Sequence, residues 1–219
     1  MIEEKVRLQG PHQGQPVLTR GKPLAQAKAA MVMIHGRGAT AESILTLADE
    51  LEQPHFAYLA PQAAGNTWYP NRFTAPIASN EPYLSSALAT IDELLDRLSE
   101  AGIQPQNTIL LGFSQGACLA LEYAARNARR YAGVVGLSGG LIGPDGTPRN
   151  YHGSLAGTPL FLGCSDVDFH IPKERVLHSA DVLRGLGGEV TARLYPDMGH
   201  TINQDELDAV RRMMIAVAG

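Results

Sequence analysis

The segment Gly112-Phe113-Ser114-Gln115-Gly116 has the residue types and spacing to do chemistry. An apolar run over 108–113 leads into it and a helical pattern starts at Gln115. The serine is therefore expected on a sharp strand-to-helix turn, the setting of a nucleophile elbow. Such a turn needs small residues two places to either side of the serine, because a side chain there would meet the backbone as it doubles back. Gly112 and Gly116 meet that need. A serine that only caps a helix would not require both glycines, so the spacing points to nucleophilic attack at an acyl carbon.

A serine hydroxyl attacks only with the help of a base, most often a histidine oriented by a third group. Of seven histidines, His200 stands in Met198-Gly199-His200, after the last strand pattern and before the last helical one. That placement predicts a loop at the same sheet edge as Ser114. Two acids compete for the third role, Asp166 and Asp168, both just after the apolar run at 159–163, and position alone does not separate them. Asp197, three residues before His200, better suits the stabilisation of its own turn. An oxyanion hole needs backbone N–H groups aimed at the developing negative oxygen. Gln115, next to the serine, is expected to supply one and Arg37 the other, from the glycine-rich loop His35-Gly36-Arg37-Gly38. No Gly-Lys-Ser/Thr follows that loop, so a phosphate-binding loop is the weaker reading.

Positioning these groups falls to short apolar runs alternating with helical stretches. Strands are expected at 30–34, 57–59, 108–113, 133–137, 159–163 and 190–195. Being apolar on both faces, they suit a buried parallel sheet. Helices are expected at 41–52, 83–101, 115–127, 173–186 and 204–218. The second carries Leu84, Leu88, Ile91, Leu94, Leu95 and Leu98 as one stripe, and Gly102 fits its stop. This alternation predicts a single α/β domain over 1–219, with helices on both faces of a mostly parallel sheet. An N-terminal hairpin is expected over about 5–20, from Val6-Arg7-Leu8 and Val17-Leu18-Thr19 flanking a turn-rich segment. Two long connections, 61–79 and 138–157, follow strands and are expected to cover a site at the carboxyl edge of the sheet.

Composition narrows the classes. The 219 residues carry 18 basic and 22 acidic side chains, a net charge of -4 without long runs of either sign, which argues against nucleic acid or an anionic membrane as partner. No stretch approaches the roughly 18 apolar residues of a membrane span, and the N-terminal residues lack a signal-peptide pattern. A cytoplasmic protein with no integral membrane segment is expected. Cys118 and Cys164 lack metal-ligand or redox spacing and read as buried free thiols.

Taken together, Val32-Met33-Ile34-His35-Gly36-Arg37-Gly38, the Ser114 motif, Leu137-Ser138-Gly139-Gly140, Asp168-Phe169-His170-Ile171-Pro172 and Gly199-His200 resemble the phospholipase/carboxylesterase family, which includes acyl-protein thioesterases. The resemblance runs from about residue 30 to the C-terminus, with the motifs in the family's order and with the serine, acid, histidine order of α/β-hydrolases. It implies an α/β-hydrolase fold and hydrolysis of a small carboxylic ester, thioester or lysophospholipid, without metal or organic cofactor. The family's Asp-x-x-Val/Ile-Pro segment matches Asp168 through Pro172, which favours Asp168 over Asp166. Relatives often carry Leu-Gly-Asp where this chain has Arg37-Gly38-Ala39, which implies a more polar pocket beside the oxyanion hole. Trp68 and Tyr69, in the place of an aromatic-containing cover, are expected either to line an acyl pocket or to pack the loop onto the domain. A lactone hydrolase or peptidase on the same scaffold, and a non-catalytic binding module that kept these residues, are the competing readings.

Overall fold

The computed structural model describes residues 10–218. Seven strands form one sheet: β1 (Val17–Gly21), β2 (Ala29–Ile34), β3 (Phe56–Pro61), β4 (Thr108–Phe113), β5 (Gly133–Leu137), β6 (Pro159–Ser165) and β7 (Glu189–Tyr195), in the spatial order β1-β3-β2-β4-β5-β6-β7. Only β1 runs antiparallel, against β3; the remaining neighbours pair in parallel. Among the described residues six α-helices complete the frame: α1 (Ala41–Leu45), α2 (Leu47–Glu50), α3 (Tyr83–Glu100), α4 (Gln115–Arg126), α5 (Lys173–Gly185) and α6 (Gln204–Ala218).

The central strands are apolar throughout because both faces are covered. In β2, Ala30, Val32 and Ile34 pack into the core shared with α3, α4 and α5, whereas Ala29, Met31 and Met33 enter the core shared with α1, α2 and α6. This is the two-residue period of a strand meeting helices on each side. The expected stripe of α3 is buried at Leu84, Ile91, Leu94, Leu95 and Leu98, with Leu88 at its half-buried margin. The helix ends where Gly102 takes φ 89° and Ile103 N–H reaches the Leu98 carbonyl at 2.9 Å.

One expectation needs adjustment, and another reaches beyond the described residues. The stretch 41–52 is two short helices broken at Thr46, whose hydroxyl donates to the Ser43 carbonyl at 2.8 Å and so competes with the helical ladder. The segment 17–21 is a strand, and it pairs with β3 in the register Val17 to Pro61 and Gly21 to Ala57. Val6-Arg7-Leu8, the other arm of the expected hairpin, lies outside the described residues. The two cysteines are free and buried.

Since β2, β4, β5, β6 and β7 are parallel, the loops that leave their carboxyl ends gather at one edge. These are the loops carrying Arg37, Ser114, the 138–157 connection, Asp168 and His200.

Candidate active site

Ser114 sits between β4 and α4 with φ 55° and ψ −117°, a conformation that side chains other than glycine rarely adopt. The turn is held by Ser114 N–H donating to the Leu137 carbonyl at 2.9 Å and by the Ser114 carbonyl accepting from Cys118 N–H at 3.0 Å. A Cβ on Gly112 would collide with the backbone of Gly116, and one on Gly116 with the carbonyl of Ile34. The two glycines are thus what lets β4, α4 and β2 approach closely enough for the elbow to exist.

His200 reaches Ser114 from the loop between β7 and α6. Its Nε2 lies 2.9 Å from Ser114 Oγ and its Nδ1 lies 2.7 Å from Asp168 Oδ2. The other carboxylate oxygen of Asp168 accepts N–H bonds from His170 at 2.8 Å and Ile171 at 3.1 Å. Burial would raise the Asp168 carboxyl, but the bonds from His200 and these two amides outweigh it and hold the group below its ordinary value. An ionised carboxylate only accepts, so Nδ1 of His200 carries the proton and Nε2 offers its lone pair to the serine hydroxyl.

Asp166 is turned elsewhere. Its Oδ1 accepts the N–H of Asp197 at 3.0 Å, and Ser165 Oγ accepts that of Gly199 at 3.1 Å. These neighbours of Asp168 therefore tether the chain just ahead of His200. The rings of Phe113, 5.1 Å between centroids, and His170, 4.8 Å, flank the imidazole.

Arg37 and Gln115 both border Ser114, and each side chain also anchors the 61–79 connection. The Arg37 guanidinium donates to the carbonyls of Tyr69 (2.8 Å), Pro70 (3.0 Å) and Asn71 (2.6 Å). Gln115 Oε1 accepts from Trp68 N–H at 2.8 Å while its Nε2 donates to the Tyr69 carbonyl at 2.8 Å. The first residue of α4 has an amide N–H without a partner inside the helix, which leaves that of Gln115 available beside Ser114.

A cavity of about 350 Å³ opens over Ser114, lined among others by Tyr69, Phe73, Cys118, Ile171 and His200. Tyr69 borders this cavity, one of the two placements the sequence leaves open for it. Trp68 does not line it: the indole is fully buried, donates Nε1–H to the His35 carbonyl at 2.9 Å, and contacts the rings of both His35 and His12. The indole faces inward because the backbone clamps from Gln115 and His12 fix its orientation, with His12 Nε2 2.9 Å from the Trp68 carbonyl.

His12 and His35 were not singled out by sequence reasoning, and both support this loop. His12 Nδ1 accepts from Ala64 N–H and His35 Nε2 from Ala63 N–H, each at 3.1 Å. Both rings must be neutral to accept, and burial lowers both pKa values accordingly.

Glu206 was also missed, although Asn203-Gln204-Asp205-Glu206 matches the capping-box pattern. Asn203 N–H donates to Glu206 Oε2 and Glu206 N–H to Asn203 Oδ1, both at 2.9 Å, which fixes the end of the loop bearing His200. Glu206 is fully buried with its second oxygen unpartnered, and burial pushes its carboxyl from 4.5 up to about 7. Between those values the folded protein keeps a proton that the unfolded chain has lost, so this group's contribution to stability falls as pH rises from about 4.5 to 7. Chemical denaturation at about pH 5 and about pH 8 is expected to register a decline on the order of 3 kcal/mol from this group. In Glu206→Gln that component should disappear; an unchanged pH profile would refute the assignment.

The 138–157 connection is not part of the lining over Ser114. With α5 it borders a separate cavity of about 600 Å³, where Arg175 bonds the carbonyls of Leu141 and Gly143. Buried Glu122 holds the same connection through Ile142 N–H at 3.0 Å and Tyr151 hydroxyl at 3.0 Å. Among the described residues no helix is long and apolar enough to cross a membrane, and no group of three or more His, Cys, Asp or Glu is placed to hold a metal ion.

The sheet order and the arrangement at its carboxyl edge define an α/β-hydrolase fold. The Phospholipase/Carboxylesterase family model matches residues 21–217. The chain is similar to acyl-protein thioesterase 1 of Gibberella zeae, 31% identical over 130 residues, which are 55% of this chain and 52% of that protein, so the match spans about half the relative's length. Acyl-protein thioesterase 1 of Saccharomyces cerevisiae is 26% identical over 210 residues, 83% of this chain and 89% of that one. Among solved structures, a phospholipase/carboxylesterase from Dyadobacter fermentans superposes with a TM-score of 0.88 at 41% identity, over 92% of this chain and 96% of that one. The chain belongs to the phospholipase/carboxylesterase family, a family of serine hydrolases that cleave esters and thioesters.

Proposed function

We propose that this chain is a serine carboxylesterase, folded as one α/β domain and working in the cytoplasm, that cleaves small carboxylic esters or thioesters through an acyl-enzyme on Ser114. The observation that carries the reading is the hydrogen-bonded line from Asp168 through His200 to Ser114, with links of 2.7 and 2.9 Å. His200 Nε2 takes the hydroxyl proton as Ser114 Oγ attacks the acyl carbon. Asp168 stabilises the imidazolium that forms, and the N–H groups of Arg37 and Gln115 take up the charge on the carbonyl oxygen. His200 then protonates the departing alcohol or thiol, and water repeats the sequence on the acyl-serine. A cavity of about 350 Å³ with Tyr69, Phe73, Cys118 and Ile171 buried around it suits a short acyl group.

Covalent trapping tests this directly. After incubation with a short p-nitrophenyl ester and an acid quench, peptide mass spectrometry is expected to find the acyl mass on the peptide containing Ser114. A fluorophosphonate should label the same peptide stoichiometrically in the wild type and not in His200→Ala. Acylation of a different residue, or fast labelling retained in His200→Ala, would overturn the assignment of nucleophile or base.

A further inference from the structure

The cavity over Ser114 is divided by burial. Tyr69, Phe73, Cys118 and Ile171 are buried and apolar in character, Ser114 and His200 are half-buried, and Arg37, Arg72 and His170 are exposed. Acyl carbons gain by leaving water, so they belong at the buried end. The other half of an ester, beyond the scissile bond, then lies toward the exposed rim.

That rim is electrically lopsided. The chain as a whole carries a net charge of -4, yet among the described residues lining the cavity two are arginines and none is Asp or Glu. Arg37 holds its guanidinium on three neutral carbonyls, which fix its position without cancelling its charge. Arg72 makes no ion pair or hydrogen bond through its guanidinium among the described residues. Its backbone is nonetheless held: the Arg72 carbonyl accepts from Ala75 N–H at 3.0 Å and Asn80 Nδ2 at 3.3 Å, next to the segment that Arg37 clamps. A fixed backbone presenting an unpaired guanidinium beside a second uncompensated positive charge is a site for a carboxylate or phosphate.

Resting on the serine-esterase reading above, we propose that Arg72 is a specificity-determining residue that selects esters or thioesters whose leaving group carries negative charge, as a carboxylate or a phosphate. The buried end takes a short acyl chain, and Arg72 binds the anionic end of the alcohol or thiol.

The test compares matched substrates. On the leaving-group side these are 4-butanoyloxybenzoate, 4-butanoyloxyphenyl phosphate and the neutral methyl ester of the first. On the acyl side they are p-nitrophenyl hemiglutarate and p-nitrophenyl valerate. For each set the anionic-to-neutral ratio of kcat/KM is measured in the wild type, Arg72→Gln and Arg72→Glu, so that intrinsic differences in leaving-group reactivity cancel between enzymes. The leaving-group ratio is expected to fall about tenfold in Arg72→Gln and further in Arg72→Glu, with the larger fall identifying carboxylate or phosphate as the better fit. In the wild type the same ratio should decline as salt is raised, which reads the effect even if a variant folds poorly. Ratios that stay within about twofold across the three enzymes, or a shift confined to the acyl-side pair, would overturn the selectivity. In that event wild-type turnover of the neutral ester with acylation of Ser114 leaves the serine-esterase reading standing; absence of both would overturn the two together.

Discussion

Replacement of Ser114 by alanine is expected to lower kcat/KM on a short p-nitrophenyl ester by about a millionfold, because the reaction loses its nucleophile while the oxyanion donors and the pocket remain. Alanine at this position shares the φ of 55° with the serine it replaces, so the change neither adds nor relieves backbone strain. It removes one hydrogen bond, Ser114 Oγ to His200 Nε2, whose net worth is about 1 kcal/mol. Denaturant unfolding should therefore move little while activity collapses. Turnover by Ser114→Ala within an order of magnitude of the wild type would remove Ser114 from the mechanism.

Ser114 was legible because its signal is local: a strand, two glycines and a helix within about a dozen residues. The same holds for the parallel strands, each apolar on both faces, and for the place of His200 after the last of them. What escaped was set by partners distant in sequence. Segment 17–21 reads as a strand, but pairing with β3 about forty residues later is a tertiary choice that no turn at residues 10–14 decides. Trp68 and Tyr69 are adjacent aromatics in one loop, and composition cannot tell which faces inward. Gln115 and His12 decide it by gripping the Trp68 backbone from two other parts of the chain. The side chain of Arg37 suggests a more polar pocket and does line the cavity, but that its guanidinium is held by loop carbonyls depends on where Tyr69, Pro70 and Asn71 come to lie. Glu206 is different: its capping-box spacing was readable, and only its complete burial was not.

The acid is where sequence position failed outright, and there the expected difference between two neighbouring substitutions is large. Asp168→Asn should lower kcat/KM by about ten-thousandfold. The new side chain can keep its oxygen on the N–H groups of His170 and Ile171, which places its NH2 against His200 Nδ1. A donor there favours the tautomer with a lone pair on Nδ1 and the proton on Nε2. In that form the imidazole cannot accept the proton of Ser114, and no carboxylate remains to stabilise an imidazolium. Asp166→Asn, two residues away, retains an oxygen for the Asp197 N–H it now serves, so the tether on the His200 loop persists and activity should stay within about threefold. The order of the two effects decides the matter: a larger loss from Asp166→Asn than from Asp168→Asn would transfer the acid's role to Asp166. Because both variants exchange a carboxylate for an amide on the same loop, any general cost of lost charge is common to the pair, and the contrast isolates the one contact, 2.7 Å to His200 Nδ1, that distinguishes them.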